Sequence, residues 1–129
     1  MSRPDFPRFE GTQISSWLKA VEKPVVVFFW KDNDSLCDEM RRVVKGLADR
    51  FHEDIIFIWV EIDNPSQVMV QEYLSVIQAP AVLLLQGDRE IVRFTSPSSG
   101  EAMALNFSRA LPLPQPLRPQ PVPAAIYTY

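Results

Sequence analysis

Val25-Val26-Val27-Phe28-Phe29-Trp30-Lys31-Asp32-Asn33-Asp34-Ser35-Leu36-Cys37 joins an unbroken apolar run to a short polar turn and the start of a helical pattern. Its first six residues are all β-branched or aromatic, with no polar residue to mark a solvent side. That composition predicts a strand covered on both faces of its sheet. Lys31 to Ser35 is polar and turn-forming. Apolar residues then return at helical spacing, with Leu36, Met40, Val43, Val44, Leu47 and Phe51 on one face. Arg41, Arg42, Lys45 and Asp49 fall mostly on the other, so the spacing predicts a helix over about 35–51. Ser35 followed by Asp38 resembles a capping box, with Asp in place of Glu.

Upstream, Ile14, Trp17, Leu18 and Val21 form the stripe of a helix over about 13–22, with Thr12 as its cap and Lys23-Pro24 as its stop. Residues 1–11 read as an irregular lead-in with room for a short strand near Phe9. Downstream, Ile55–Ile62 is a second buried strand. Asn64-Pro65 reads as the start of a helix running to about Leu74, with Val68, Met69 and Tyr73 as its buried residues. Ala81–Leu85 is a third strand, and Glu90–Phe94 returns beside it after the turn Gln86-Gly87-Asp88-Arg89. Ser98 or Ser99 caps a last helix over about 100–111. Helices between the first three strands imply parallel neighbours joined by right-handed crossovers, and the hairpin adds an antiparallel pair. The expected class is α/β, a central mixed sheet of four to five strands flanked by about four helices.

The remainder is different in kind. Six of the chain's 12 prolines fall between Pro112 and Pro123. That run is neither helix nor central strand, and polyproline II at roughly 3.1 Å per residue is its expected form. It leads to the apolar, aromatic end Ala124-Ala-Ile-Tyr-Thr-Tyr129. The chain therefore divides into a domain at 1–111 and a tail at 112–129. The tail is read either as an unstructured end or as an arm whose Ile126, Tyr127 and Tyr129 dock on a partner.

At 129 residues and 47% hydrophobic content the chain can build one core. A net charge of −3 gives no basic surface, so nucleic acid is not an expected ligand. The longest apolar run, Val25–Trp30, is far short of the roughly 20 residues of a membrane span. Met1–Pro7 lacks the apolar core of a secretion signal. One cysteine excludes an internal disulfide, and a reducing, cytoplasmic setting is the expectation.

Three segments together resemble the thioredoxin family. Residues 25–37 align without gaps on that family's buried strand and its Trp-Cys-Gly-Pro-Cys motif. Glu61-Ile-Asp-Asn-Pro65 is similar to the segment after its next strand. Ala79-Pro80-Ala-Val-Leu-Leu-Leu85 resembles the stretch whose proline is cis. The resemblance covers about residues 10–111 and implies a cis Ala79–Pro80 bond facing the start of the 35–51 helix. It also implies what is missing. The attacking cysteine's position holds Asp34, and a carboxylate cannot attack a disulfide. Cys37 matches the resolving cysteine, Ser35-Leu36 stands for Gly-Pro, Asn33 for the preceding Trp, and Phe28 for the buried acid that manages protons.

The expectation is a non-catalytic, thioredoxin-like protein-interaction module, acting as accessory subunit, assembly factor or scaffold of a larger complex. The expected contact residues are Asn33, Asp34, Ser35, Leu36, Ala79 and Pro80, with Ile126, Tyr127 and Tyr129 from the tail. Pro80 has two readings: a backbone edge offered to an extended peptide, or a residue that only shapes its turn. The alternatives for function are a single-thiol redox protein or sensor using Cys37 and a peptide-holding chaperone. No cofactor is expected. Asp32, Asp34 and Asp38 read as an acidic loop and helix cap, and no Cys or His spacing points to a metal site.

Overall fold

Val25–Trp30 forms the central strand, β1, and its neighbours explain its composition. In a computed structural model of the chain, which describes residues 13–111 and 126–128, β1 pairs in parallel with β2 (Ile56–Glu61) and antiparallel with β3 (Ala81–Gln86). With β4 (Arg89–Phe94) and β5 (Ile126–Thr128) the strand order is β4-β3-β1-β2-β5. The helices are α1 (Gln13–Ala20), α2 (Ser35–Phe51), α3 (Val68–Tyr73) and α4 (Gly100–Ala110). This is the mixed α/β sheet expected from the sequence. Thr12 and the region near Phe9 lie outside the described residues.

Alternation along β1 divides the core between two layers. Val25, Val27 and Phe29 pack with Leu18 of α1 and with Val70 and Leu74 at α3. Val26 and Phe28 pack on the opposite face with Met40, Val44, Leu47 and Phe51 of α2 and with Met103 and Phe107 of α4. Edge-to-face rings stitch the second layer: Phe107 meets Phe51 at 5.8 Å and Phe57 at 6.1 Å, and Phe28 meets Trp59 at 5.5 Å. The β3–β4 hairpin turns at Gly87, whose φ of 61° suits a residue without a Cβ.

One strand direction and three helix details differ from expectation. The first three strands are not all parallel, because β3 runs against β1. The short α3 and the Ser75–Pro80 loop leave the chain at the end of the sheet where β1 finishes, so β3 starts there and runs back. Asp34 caps α2, as the acidic helix cap expected, but the Ser35/Asp38 box does not form, since Asp38 pairs with Arg41 instead. Leu36 is off the buried stripe of α2, because the stripe runs through Cys37, Met40, Val44, Leu47, Ala48 and Phe51. Asn64-Pro65 opens a 3-10 turn (Pro65–Gln67) before α3 begins at Val68. That turn shifts the helical phase, so Val70 and Leu74 face the core while Val68, Met69 and Tyr73 are exposed. Two glutamines on the buried stripe, Gln67 and Gln71, hid this phase in the sequence. The Gln71 side chain pairs twice with Asp63. Its oxygen accepts from the Asp63 backbone N–H at 2.7 Å, and its amide nitrogen donates to Asp63 Oδ1 at 3.1 Å. The pair holds Asp63 at φ 61°.

The tail contributes an element that its sequence did not predict. Ile126, Tyr127 and Thr128 pair in parallel with Phe57, Ile58 and Trp59, so part of the tail is a strand of its own sheet.

Candidate functional site

The site is built where β1 ends and β3 begins. Antiparallel register pairs Phe29 with Ala81, which puts Ala79-Pro80 at the same end of the sheet from which Lys31–Asp34 leaves β1. The Ala79–Pro80 bond is cis. The fold therefore brings together the two predicted segments, Asn33–Leu36 and Ala79-Pro80. Asn33 is exposed at φ 57°, a left-handed conformation that Asn tolerates better than most residues. Ser35 and Leu36 are also exposed, Ala79 is half-buried and Pro80 is buried.

Asp34 is the N-cap of α2, with extended backbone at φ −132° and ψ 118°. Its Oδ1 accepts a hydrogen bond from the Cys37 backbone N–H at 2.9 Å, and its Oδ2 lies 3.6 Å from Lys31 Nζ. The Cys37 N–H hydrogen bond, with smaller help from Lys31, holds the Asp34 carboxyl below its ordinary range. Cys37 is fully buried. Burial pushes its thiol above the ordinary value, and the Asp34 charge pushes the same way. A thiol so placed carries little thiolate at neutral pH, and thiolate is the reactive form. With one cysteine in the chain there is no dithiol pair.

Beside the predicted Leu36 stand Ile77, Arg93 and Arg41, which are not among the expected contact residues. Ile77 is 90% exposed, three residues before Pro80, and Leu36 is 51% exposed at the start of α2. An apolar residue beside a loop proline is a visible signal, but Ile77 belongs to no strand or helix pattern. Arg93 of β4 gives no signal of its own. It donates to the backbone oxygens of Leu74 at 2.6 Å and Ser75 at 3.0 Å, and Glu90 holds its guanidinium at 2.7 and 3.1 Å. The clamp fixes the chain where it leaves α3 for Ile77 and Pro80. Arg41, paired with Asp38 at 2.8 Å, lies 5.2 Å over the Trp30 ring at the end of β1.

Of the predicted tail contacts, two fall on a different strand pair. Ile126 and Tyr127 lie on the outer edge of β2, and Tyr129 is outside the described residues. Among the described residues no group of three His, Cys, Asp or Glu is placed to hold a metal ion. Nor, among them, is any helix long and apolar enough to cross a membrane.

No protein-family model matches the sequence, and no curated protein sequence matches it. Solved structures do resemble it. Trxlp from Edwardsiella tarda is 20% identical, with a TM-score of 0.59 over 76% of this chain and 94% of that one. The germline-specific thioredoxin Deadhead from Drosophila melanogaster is 19% identical, with a TM-score of 0.61 over 78% of this chain and 90% of its own. Thioredoxin f2 from Chlamydomonas reinhardtii is 20% identical, with a TM-score of 0.60 over 78% and 92%. The chain has a thioredoxin-like fold without the dithiol pair.

Proposed function

We propose that this chain is a non-catalytic protein-interaction module, an accessory subunit, assembly factor or scaffold of a larger complex. Its contact surface is the Asn33–Leu36 turn with the Ala79-Pro80 loop. One observation carries the reading: the capping position of α2 holds Asp34, tied to the Cys37 N–H, while the only thiol is buried beneath it. Exposed Leu36 and Ile77 give the surface apolar contacts for an extended segment of the partner. In the same reading, Ile126, Tyr127 and Tyr129 of the tail supply a further contact, with residues 126–128 presented along the edge of β2. Burial of Cys37 counts against single-thiol chemistry. A lasting rather than passing association separates an adaptor from a chaperone.

The test is a photo-crosslinking residue placed at Leu36 in the full chain, expressed in its native cell. The expected result is one dominant adduct, lost when Ile77→Lys is added and kept when Cys37→Ala is added. An adduct that needs Cys37 and ignores Ile77 overturns the reading.

A further inference from the structure

The two edges of the sheet are protected differently. The β4 edge carries Arg89, Glu90 and Arg93, and its ladder with β3 shifts register between Leu84 and Leu85. Charged residues and bulges discourage a second chain from adding to an edge. Along Ile55 to Val60, β2 has neither device. That stretch is uncharged and wholly β-branched or aromatic, and β2 pairs with β1 from Ile56 to Glu61 without a shift. A bare edge of this composition is a template for pairing with another chain. What covers it is β5, through Ile126, Tyr127 and Thr128.

That cover is short. Three paired residues form few backbone hydrogen bonds, and the gain is comparable to the entropy lost in ordering them. Its pairing with β2 is parallel, the slightly weaker arrangement per residue. Within residues 13–111, α1 and α3 already cover one face of the sheet and α2 and α4 the other.

We propose that β5 is a removable cover, and that the β2 edge beneath it pairs with the β2 edge of a second copy of this chain. Symmetry selects that occupant. Two identical edges meeting across a two-fold axis run antiparallel, the stronger arrangement, and present the same surface to each other. Pairing centred on Ile58 sets Phe57 of one copy opposite Trp59 of the other, and aromatic cross-strand pairs stabilise such a ladder. With no charge between Ile55 and Val60, no like charges oppose each other at the centre of the axis. The two sheets join into one, and β5 competes directly with dimer formation.

The experiment compares the full chain with its Tyr127→Pro variant, in which β5 loses the backbone N–H that the parallel register directs at the Phe57 carbonyl. Sedimentation velocity is read over a wide concentration range, with circular dichroism to confirm the fold. The expected result is a dimer dissociation constant lower by about tenfold or more in the variant. In that dimer the β2 amides facing away from β1 are protected from hydrogen exchange, and a synthetic peptide of residues 122–129 returns the variant to monomer. A variant that stays monomeric overturns the proposal. So does a dimer whose outward β2 amides exchange as fast as in the monomer, or an aggregate that the peptide does not reverse.

Discussion

Asp34 Oδ1 sits 2.9 Å from the backbone nitrogen of Cys37 and accepts its hydrogen bond, so the capping carboxylate of α2 and the chain's one thiol belong to a single unit. The contact has opposite consequences for its two ends. It stabilises the ionised carboxylate and keeps negative charge beside a thiol that burial already holds protonated.

The cap makes the stability of α2 depend on Asp34 and on pH. Asp34→Ala removes the acceptor and lowers the urea midpoint at every pH. Asp34→Asn keeps an acceptor and removes the charge. Because the folded carboxyl titrates below its unfolded value, its charge adds stability above the unfolded pKa of about 4. That contribution fades as pH falls through the folded value. The midpoints of the parent and Asp34→Asn therefore differ at neutral pH and converge below pH about 4, measured by urea unfolding followed by circular dichroism.

Cys37 behaves as a packing residue. A thiol reagent leaves the native chain unlabelled at mildly alkaline pH and labels it once urea has unfolded it. Cys37→Ala leaves a small cavity and costs about 1 kcal/mol. Fast native labelling contradicts the burial assigned to this side chain.

Restoring the pair with Asp34→Cys does not restore the chemistry. Phe28, the position at which the sequence resemblance implies a buried acid in the family, is fully buried against Trp59 and offers no proton acceptor. Insulin reduction by the variant is expected to stay at background. Phe28→Asp does not repair this, because an unpaired carboxylate among Val26, Met40 and Val82 destabilises the core. Its loss of stability equals or exceeds the roughly 3–5 kcal/mol of Phe28→Ala.

Arg93 holds the approach to the Pro80 loop from a distance. Arg93→Ala removes two charge-assisted hydrogen bonds to the Leu74 and Ser75 oxygens, at a cost of about 1–3 kcal/mol. Faster hydrogen exchange at Val76 to Gln78 accompanies the loss. Arg93→Lys recovers only part of it, since an ammonium cannot hold both oxygens and Glu90 in one plane.

The strands were legible because full burial leaves an unmistakable composition, and Val25–Trp30 and Ala81–Leu85 fall where the run of apolar residues places them. Their relative direction was not, since a connecting helix as short as α3 need not carry the chain back across the sheet. Helix α2 was legible for its length, which repeats the stripe over 17 residues. Helix α3 was misread because six residues give the stripe no repeat and the buried face includes glutamines. Asp34 and Cys37 could be placed by their spacing from a recognisable strand. Arg93 and Ile77 could not, since their importance lies in what they meet in space. Nothing local marks Ile126–Thr128 as a strand, because only β2 gives it a partner.

If this fold serves by its surface and not by its thiol, a bound partner must depend on Leu36 and Ile77 and be indifferent to Cys37. Co-purification of the native chain decides between the two. The ratio of partner to chain is measured for the parent, for Cys37→Ala and for Leu36→Glu/Ile77→Lys. The same fixed ratio is expected for the parent and Cys37→Ala, with loss of the partner from the surface variant while its fold is intact. A partner lost from Cys37→Ala and kept by Leu36→Glu/Ile77→Lys places the function in the thiol instead.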